Sequence, residues 1–392
     1  MEEHSVQILF QIFVIFTAAK LLQVVGERVR IPAVISEIVA GILIGPHLLG
    51  LVKIEDWTLA LAELGAIVLL FDVGLDQKVT DLVRVGRTAL LVAVLGVVVP
   101  FVLGFGLLEL VGGHSRIESI FMGAAMVATS VGITARVLQE LGVLKTVVAT
   151  VILGAAVIDD ILGMIVLAVV SSLGEGHVDY VQIGSVAAMA LGFTLFVVLV
   201  GRRVMRRVTP RVQKFAASDP YFALAMVICL GLSLAAAKIR IAAIIGAFLA
   251  GLVFSEEEIT PALKGKIHAL YEFLVPFFFV TMGMQMDLSV LKRTDVLLLA
   301  AAVTVLAILG KLVGCGLAAY KLGRRQALQV GAGMVPRGEV GIIVAAIGLG
   351  LHTISDAIYA VVIIMVLVTT LIAPPWLRVL FREKRPRRQE KD

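Results

Sequence analysis

Two aspartates stand side by side in the middle of an otherwise apolar run, Gly154-Ala155-Ala156-Val157-Ile158-Asp159-Asp160-Ile161-Leu162-Gly163. An ionisable residue inside a membrane span costs roughly 2.5–3.5 kcal/mol on insertion scales, so such residues mark ion or proton pathways. Neighbours on a helix are about 100° apart. One carboxylate can therefore face a cavity while the other turns to an adjacent helix. A carboxylate held at that depth can bind a proton or a cation and exchange one for the other. Lys311, in Ala307-Ile308-Leu309-Gly310-Lys311-Leu312, is just as remote from water. It is the natural partner, because a buried ammonium keeps its charge only with a carboxylate opposite.

Helix breakers mark a second feature. Ala128-Thr129-Ser130-Val131-Gly132-Ile133-Thr134 gathers hydroxyl and β-branched residues around a glycine, and the stretch from Gly331 to Glu339 adds Gly333, Pro336 and Gly338. Neither stays regular helix without outside support. Unwound backbone in a membrane is tolerated only inside protein or against water. Arg337 and Glu339 lie in the second break, where they can neutralise exposed half-helix dipoles. Glu63 falls on a possible ion path or pairs with a neighbouring helix. Glu37, after Pro32 and Ser36, caps or lines the start of its span. Asp72, near a span end, is expected to reach water, His268 to sit at the interface, and Lys20 to snorkel.

These residues need a membrane fold to hold them. Of 392 residues, 60% are hydrophobic and 16% charged, against about 25% charged in soluble domains. The mean hydropathy is +1.04. That excludes an ordinary soluble enzyme and a disordered scaffold, and a β-barrel would show shorter, alternating segments. The expectation is an all-α polytopic membrane protein. Thirteen spans are expected at 6–25, 32–50, 57–74, 88–111, 118–141, 147–173, 181–201, 219–237, 241–255, 266–286, 295–319, 325–350 and 355–377, with no soluble domain appended. The first follows an acidic start and is too long for a signal peptide. Cys229 and Cys315 lie in apolar runs, with no disulfide or CxxC pattern.

Twenty-five of the 34 lysines and arginines fall in the odd-numbered connections and the C-terminal tail, and six in the even-numbered ones. The positive-inside rule then puts the C-terminus in the cytoplasm and the N-terminus outside. The basic clusters are a topology signal in short loops, not a nucleic-acid surface. Spans 1–6 and 8–13 form two units that start on opposite sides, as inverted repeats of secondary transporters do. The helix breakers fall in the fifth span of each unit.

Taken in order along the chain, Glu37-to-Pro46, Ala128-to-Leu138, Gly154-to-Gly163, Gly246-to-Gly251, Gly310-Lys311 and Pro336-Arg337-Gly338-Glu339-Val340-Gly341 resemble the monovalent cation:proton antiporters, in particular the NapA-type bacterial sodium/proton antiporters. The resemblance runs from about residue 10 to 377. It implies one transmembrane transporter unit over 1–392, with crossed broken helices in an ion-translocating core (88–173 and 295–377). A dimerisation domain (6–74 and 219–286) and a linker helix (181–201) complete it. It implies a homodimer in the cytoplasmic membrane and elevator-like alternating access. Asp160 becomes the main Na⁺- and proton-binding carboxylate, and Asp159 the acid that joins it at the ion and pairs with Lys311. Thr129 and Ser130 lie beside the site. Asp72 departs from the family block at Leu69-to-Asp76, where an apolar or amide residue is expected.

The expected activity is electrogenic Na⁺(Li⁺)/H⁺ antiport, with the ions as cargo, the bilayer as medium, and no cofactor or enzymatic chemistry. K⁺/H⁺ exchange on the same fold is the alternative. A channel needs no titrating pair, and an intramembrane aspartyl protease needs aspartates on two facing helices.

Overall fold

The computed structural model describes residues 2–29, 31–174, 180–201, 203–205, 207–208, 220–255, 260–292 and 294–381. The arginines and lysine of the seventh connection at 202, 206, 211 and 214, and the tail from Arg382, lie outside the described residues, as does the Glu339 side chain. The helices are α1 (Glu2–Arg28), α2 (Ala33–Ile44), α3 (Asp56–Leu75), α4 (Val79–Val111), α5 (Arg116–Ala125), α6 (Val131–Glu140), α7 (Val147–Gly174) and α8 (Tyr180–Phe196), which runs into a π-helical turn. Then come α9 (Pro220–Lys238), α10 (Ala243–Phe254), α11 (Thr260–Met284), α12 (Thr294–Ala318), α13 (Arg324–Gly333), α14 (Glu339–Gly350) and α15 (Asp356–Phe381). No strand occurs among the described residues.

Local chemistry sets the boundaries. Ser115 and Glu118 form a reciprocal capping box at the start of α5, which satisfies two backbone donors that the first turn leaves open. Gly112 ends α4 at φ 73° and Gly323 precedes α13 at φ 111°, conformations that only glycine reaches without strain. Among the described residues, nine helices are long and apolar enough to cross a membrane. The other four expected spans hold α2 and α10, of 12 residues each, and the interrupted pairs α5–α6 and α13–α14. Twelve helical residues rise about 18 Å, short of the roughly 30 Å of hydrocarbon.

The helices fall into two sets by what they pack against. In one, α3 packs on α11 and α10, α2 on α11 and α1, and α9 on α10. In the other, α4 packs on α7, α12 and α5, α12 on α15 and α13, and α14 on α15 and α5. The first set shows the internal repeat in its glycines. A Cβ on Gly41 of α2 would fall on the carbonyl oxygen of Val280, three residues before Gly283 of α11, and one on Gly283 would fall on that of Ile38, three residues before Gly41. The same exchange joins Gly251 of α10 to Phe71 and Gly74 of α3 to Phe248. Gly65, nine residues before Gly74, meets Leu274, nine residues before Gly283. Two sequence-separated helix pairs thus share one close-packed geometry, with α3 and α11 crossing at equivalent points.

These contacts are backbone against backbone, so no side chain can yield to an added methyl. Overpacking of this kind costs about 1–3 kcal/mol. Gly41→Ala and Gly251→Ala are each expected to lower the unfolding temperature in detergent. Gly86→Ala, with open space around the added carbon, is expected to leave it unchanged or slightly raised. Equal behaviour of all three would refute the close-packing account.

Candidate functional site

Asp159 and Asp160 lie near the middle of α7, which packs on α4, on α6, and on both α13 and α14. The acids' helix therefore touches both interrupted segments. Asp159 is 1% exposed, and Asp160 is half-buried. Lys311 comes from α12, which shares α4 as a neighbour. Its Nζ donates to Asp159 Oδ1 at 3.1 Å, and its side chain is fully buried. Gly96 of α4 leaves room for it: a Cβ there would lie 3.4 Å from Nζ and 2.8 Å from Cys315 Sγ.

The two breaks cross and bond to each other. The Ser130 amide donates to Pro336 O at 2.8 Å, the Thr129 hydroxyl to Met334 O at 3.5 Å, and the Thr134 hydroxyl to Gly333 O at 2.6 Å. Thr129 and Ser130 are 5% and 8% exposed, so the unwound backbone is buried in protein, as membrane depth requires. Four helix ends meet there: the C-termini of α5 and α13 and the N-termini of α6 and α14. Arg337 is fully buried. Its Nη1 donates to Met334 and Val335 O, and its Nη2 to Ala307 O of α12, at 3.2–3.3 Å. The guanidinium thus sits on the carbonyl end of α13, where the helix dipole favours a cation. Its own carbonyl accepts from Thr370 of α15 at 2.6 Å, and Lys311 and Asp159 are its electrostatic neighbours.

Glu63 stands apart. It is exposed and lines a cavity of about 240 Å³ with Thr281 of α11 and Gln285 just after it. Lys20 pairs with Glu272 at 2.7 Å, and His268 is 65% exposed, stacked on Tyr271. Asp72 does not reach water: it is 6% exposed and accepts a hydrogen bond from Gln139. Glu37 is fully buried.

Arg136 is the residue that sequence reasoning missed. It is counted among the 25 lysines and arginines of the odd-numbered connections and tail, yet it lies inside α6 and is 5% exposed. It bonds Tyr271, pairs with Glu140 at 3.0 Å and lies 3.6 Å from Glu37. The signal was present, since position 136 falls within the expected span 118–141.

Comparisons with known proteins agree with this architecture. The family described as sodium/hydrogen exchanger, transmembrane, matches residues 12–383. A high-affinity Na⁺/H⁺ antiporter of Synechocystis, NhaS3, is 36% identical over 95% of this chain and 90% of its own. The Na⁺/H⁺-K⁺ antiporter GerN of Bacillus cereus is 34% identical over 96% of both chains, and a Na⁺/H⁺ antiporter of Enterococcus hirae 33% identical over 89% and 92%. The solved sodium proton antiporter MjNhaP1 of Methanocaldococcus jannaschii superposes with a TM-score of 0.67, covering 96% of this chain and 98% of that one at 18% identity, and so shares its fold.

Removing one partner of a buried ion pair costs about 3–5 kcal/mol, whereas replacing both is often nearly neutral. Lys311→Gln is therefore expected to lower the unfolding temperature in detergent, and adding Asp159→Asn to restore part of the loss. A double variant that is less stable than Lys311→Gln alone would show that the two charges do not compensate each other.

Proposed function

The chain belongs to the sodium/hydrogen exchanger family, and from that premise we propose that it exchanges Na⁺ or Li⁺ for H⁺ electrogenically at Asp160, Asp159 and Lys311. It is a multi-pass membrane transporter of the monovalent cation:proton antiporter superfamily, not an enzyme. The observation that carries the site assignment is the buried Lys311–Asp159 pair at 3.1 Å, with half-buried Asp160 next in the chain.

In this reading Asp160 holds either a proton or the cation. With the site empty, Asp159 holds Lys311 charged. An arriving cation draws Asp159 towards itself, and Lys311 loses its counter-charge. An ammonium in a medium that does not solvate it gives up its proton. Each Na⁺ then displaces one proton from Asp160 and one from Lys311, and the exchange moves net charge. Thr129 and Ser130 border the site at the crossing. Arg337, with Glu339 beside it in sequence, compensates the half-helix ends. Glu63 is assigned to the approach path.

The helices within 88–173 and 295–377 act as the moving core, those within 6–74 and 219–286 as the scaffold and dimer surface, and 181–201 as the linker. Motion of the core against the scaffold exposes the site to each side in turn. The lysine and arginine distribution supports a cytoplasmic C-terminus and an external N-terminus in a bacterial-type cytoplasmic membrane. Potassium is the second candidate cargo, because the B. cereus relative is named for Na⁺ and K⁺.

Two measurements in proteoliposomes test this. Asp160→Asn keeps a coordinating oxygen but cannot titrate, so exchange driven by Na⁺, Li⁺ or K⁺ is expected to fall to background with folding intact. Sustained proton movement in that variant would remove Asp160 from the mechanism. Charge moved per Na⁺ under a clamped potential separates the roles of Lys311. Lys311→Gln is expected to abolish or strongly reduce net charge movement, whether or not electroneutral exchange persists. An unchanged, nonzero charge per Na⁺ would leave the lysine a purely structural part.

A further inference from the structure

The repeat that pairs α2–α11 with α10–α3 is broken at one place. At one end of the molecule α6 packs on α2 and α3. No comparable packing joins α14, its counterpart, to α10 or α11 among the described residues. The difference lies in side chains. Arg136 donates to the Tyr271 hydroxyl and stands over its ring, 4.7 Å from the centroid, with Glu37 at 3.6 Å. By the glycine register of the fold, Glu37 and Tyr271 correspond to Ala247 and Ala62, which hold no charge or hydroxyl. Beside Ala62 lies the open cavity with Glu63 and Thr281.

Further bonds close the α6 seam: Gln139 to Asp72, the Ala33 amide to Glu140 at 3.3 Å, and Gln77 to Leu144 O at 2.7 Å. The first two join the proposed core to the proposed scaffold, and the third ties the α3–α4 connection to the α6–α7 connection. Under the orientation given above, this is the cytoplasmic end.

Glu37 is the anomaly at the seam. It is fully buried, neither of its oxygens accepts a hydrogen bond, and Arg136 supplies its near counter-charge. The other charged groups around it are Glu140 on α6, Tyr271 and Glu272 on α11, Lys20 on α1 and Arg378 on α15. A carboxylate so poorly served by donors is tolerated only while its cation stays.

We propose that Arg136, seated on Tyr271 and Glu37, is a latch that holds the cytoplasmic seam shut and releases once per transport cycle, Glu37 taking up a proton as Arg136 leaves. The inference rests on the alternating-access reading. Glu37, on α2, belongs to the proposed scaffold and Arg136, on α6, to the proposed core, so separation of the two strands the carboxylate. The polar vestibule of about 350 Å³ that Arg136 lines with Glu140 and Glu272 supplies water and protons from that side. Proton uptake on opening means that acidification favours the open seam. Arg136 is a positioning residue here: it touches neither the ion nor the site aspartates.

The test reads the seam without using transport. Asp72→Cys, in a chain with Cys229 and Cys315 replaced by alanine, is alkylated by a membrane-impermeant maleimide from the C-terminal face of proteoliposomes. Adding Arg136→Gln is expected to speed labelling by roughly tenfold, since a charge-assisted hydrogen bond is lost. Tyr271→Phe, which deletes one hydroxyl and leaves the packing, is expected to speed it less. The ratio of labelling rates with Glu37 intact to those with Glu37→Gln cancels the thiol's own titration and is expected to rise as pH falls. Unchanged labelling in Arg136→Gln and Tyr271→Phe overturns the latch, and a flat ratio overturns the proton uptake. Na⁺/H⁺ exchange measured in the same vesicles tests the transport reading separately. Exchange with unresponsive labelling removes the latch and keeps the antiporter. Responsive labelling without exchange does the reverse.

Discussion

A charge at mid-membrane depth must be paired or it will not be buried. That constraint organises this molecule more than any propensity of its helices. Lys311 is fully buried and Asp159 nearly so, 3.1 Å apart. The pair requires α7 and α12 both to pack on α4, and Gly96 of α4 stands where an added Cβ would run into Cys315, four residues from Lys311. Arg337 obeys the same rule with a different partner: its guanidinium donates to the Met334 and Val335 carbonyls at the helix break and to the Ala307 carbonyl of α12. The broken helices and the buried cations belong together, since each supplies what the other lacks.

Backbone contacts set the frame and side chains differentiate it. The reciprocal glycines at Gly41–Gly283 and Gly74–Gly251 give two helix pairs the same separation. A frame built this way has no preferred end. The preference comes from Glu37 and Tyr271, which stand where the other half has Ala247 and Ala62. The same register places Glu63 opposite Glu272 in the repeat. Glu63 lines its cavity, whereas Glu272 is paired with Lys20. Symmetry of packing with asymmetry of charge lets one scaffold present two different faces to two sides of a membrane.

Much of this was legible in the sequence. The positions of helices were, because apolar runs of membrane length have few alternatives, and each expected span has a helix or an interrupted helix at its place. The breaks were legible because glycine and proline change backbone energetics locally. That Lys311 meets one of the two aspartates followed from the cost of leaving either charge alone, and the choice of Asp159 came from the family resemblance. The pairing of Arg136 was not legible. Whether an arginine one turn from a helix end reaches water or turns inward depends on which helix stands beside it, and that is tertiary information. Asp72 failed for the same reason: its distance from the span end suggested solvent, but Gln139 of α6 covers it. The glycine reciprocity was likewise hidden, since spacing alone does not say which carbonyl a glycine will meet.

The two buried ion pairs follow one rule yet have opposite consequences, and the difference is topological. Lys311 and Asp159 lie on helices that share α4 as a common support, so a rigid movement of that set carries the pair unchanged. Only a third charge arriving at the site can disturb it. Under the proposed division Arg136 belongs to the moving core and Glu37 to the scaffold, so a relative movement of the two separates them whatever the ion does. In the proposed mechanism the first pair responds to occupancy and not to conformation. In the same reading the second responds to conformation and lies away from the cargo. An exchanger that must move its site only when loaded needs both kinds, because binding energy realised in the core has to be set against contacts that differ between its two end states.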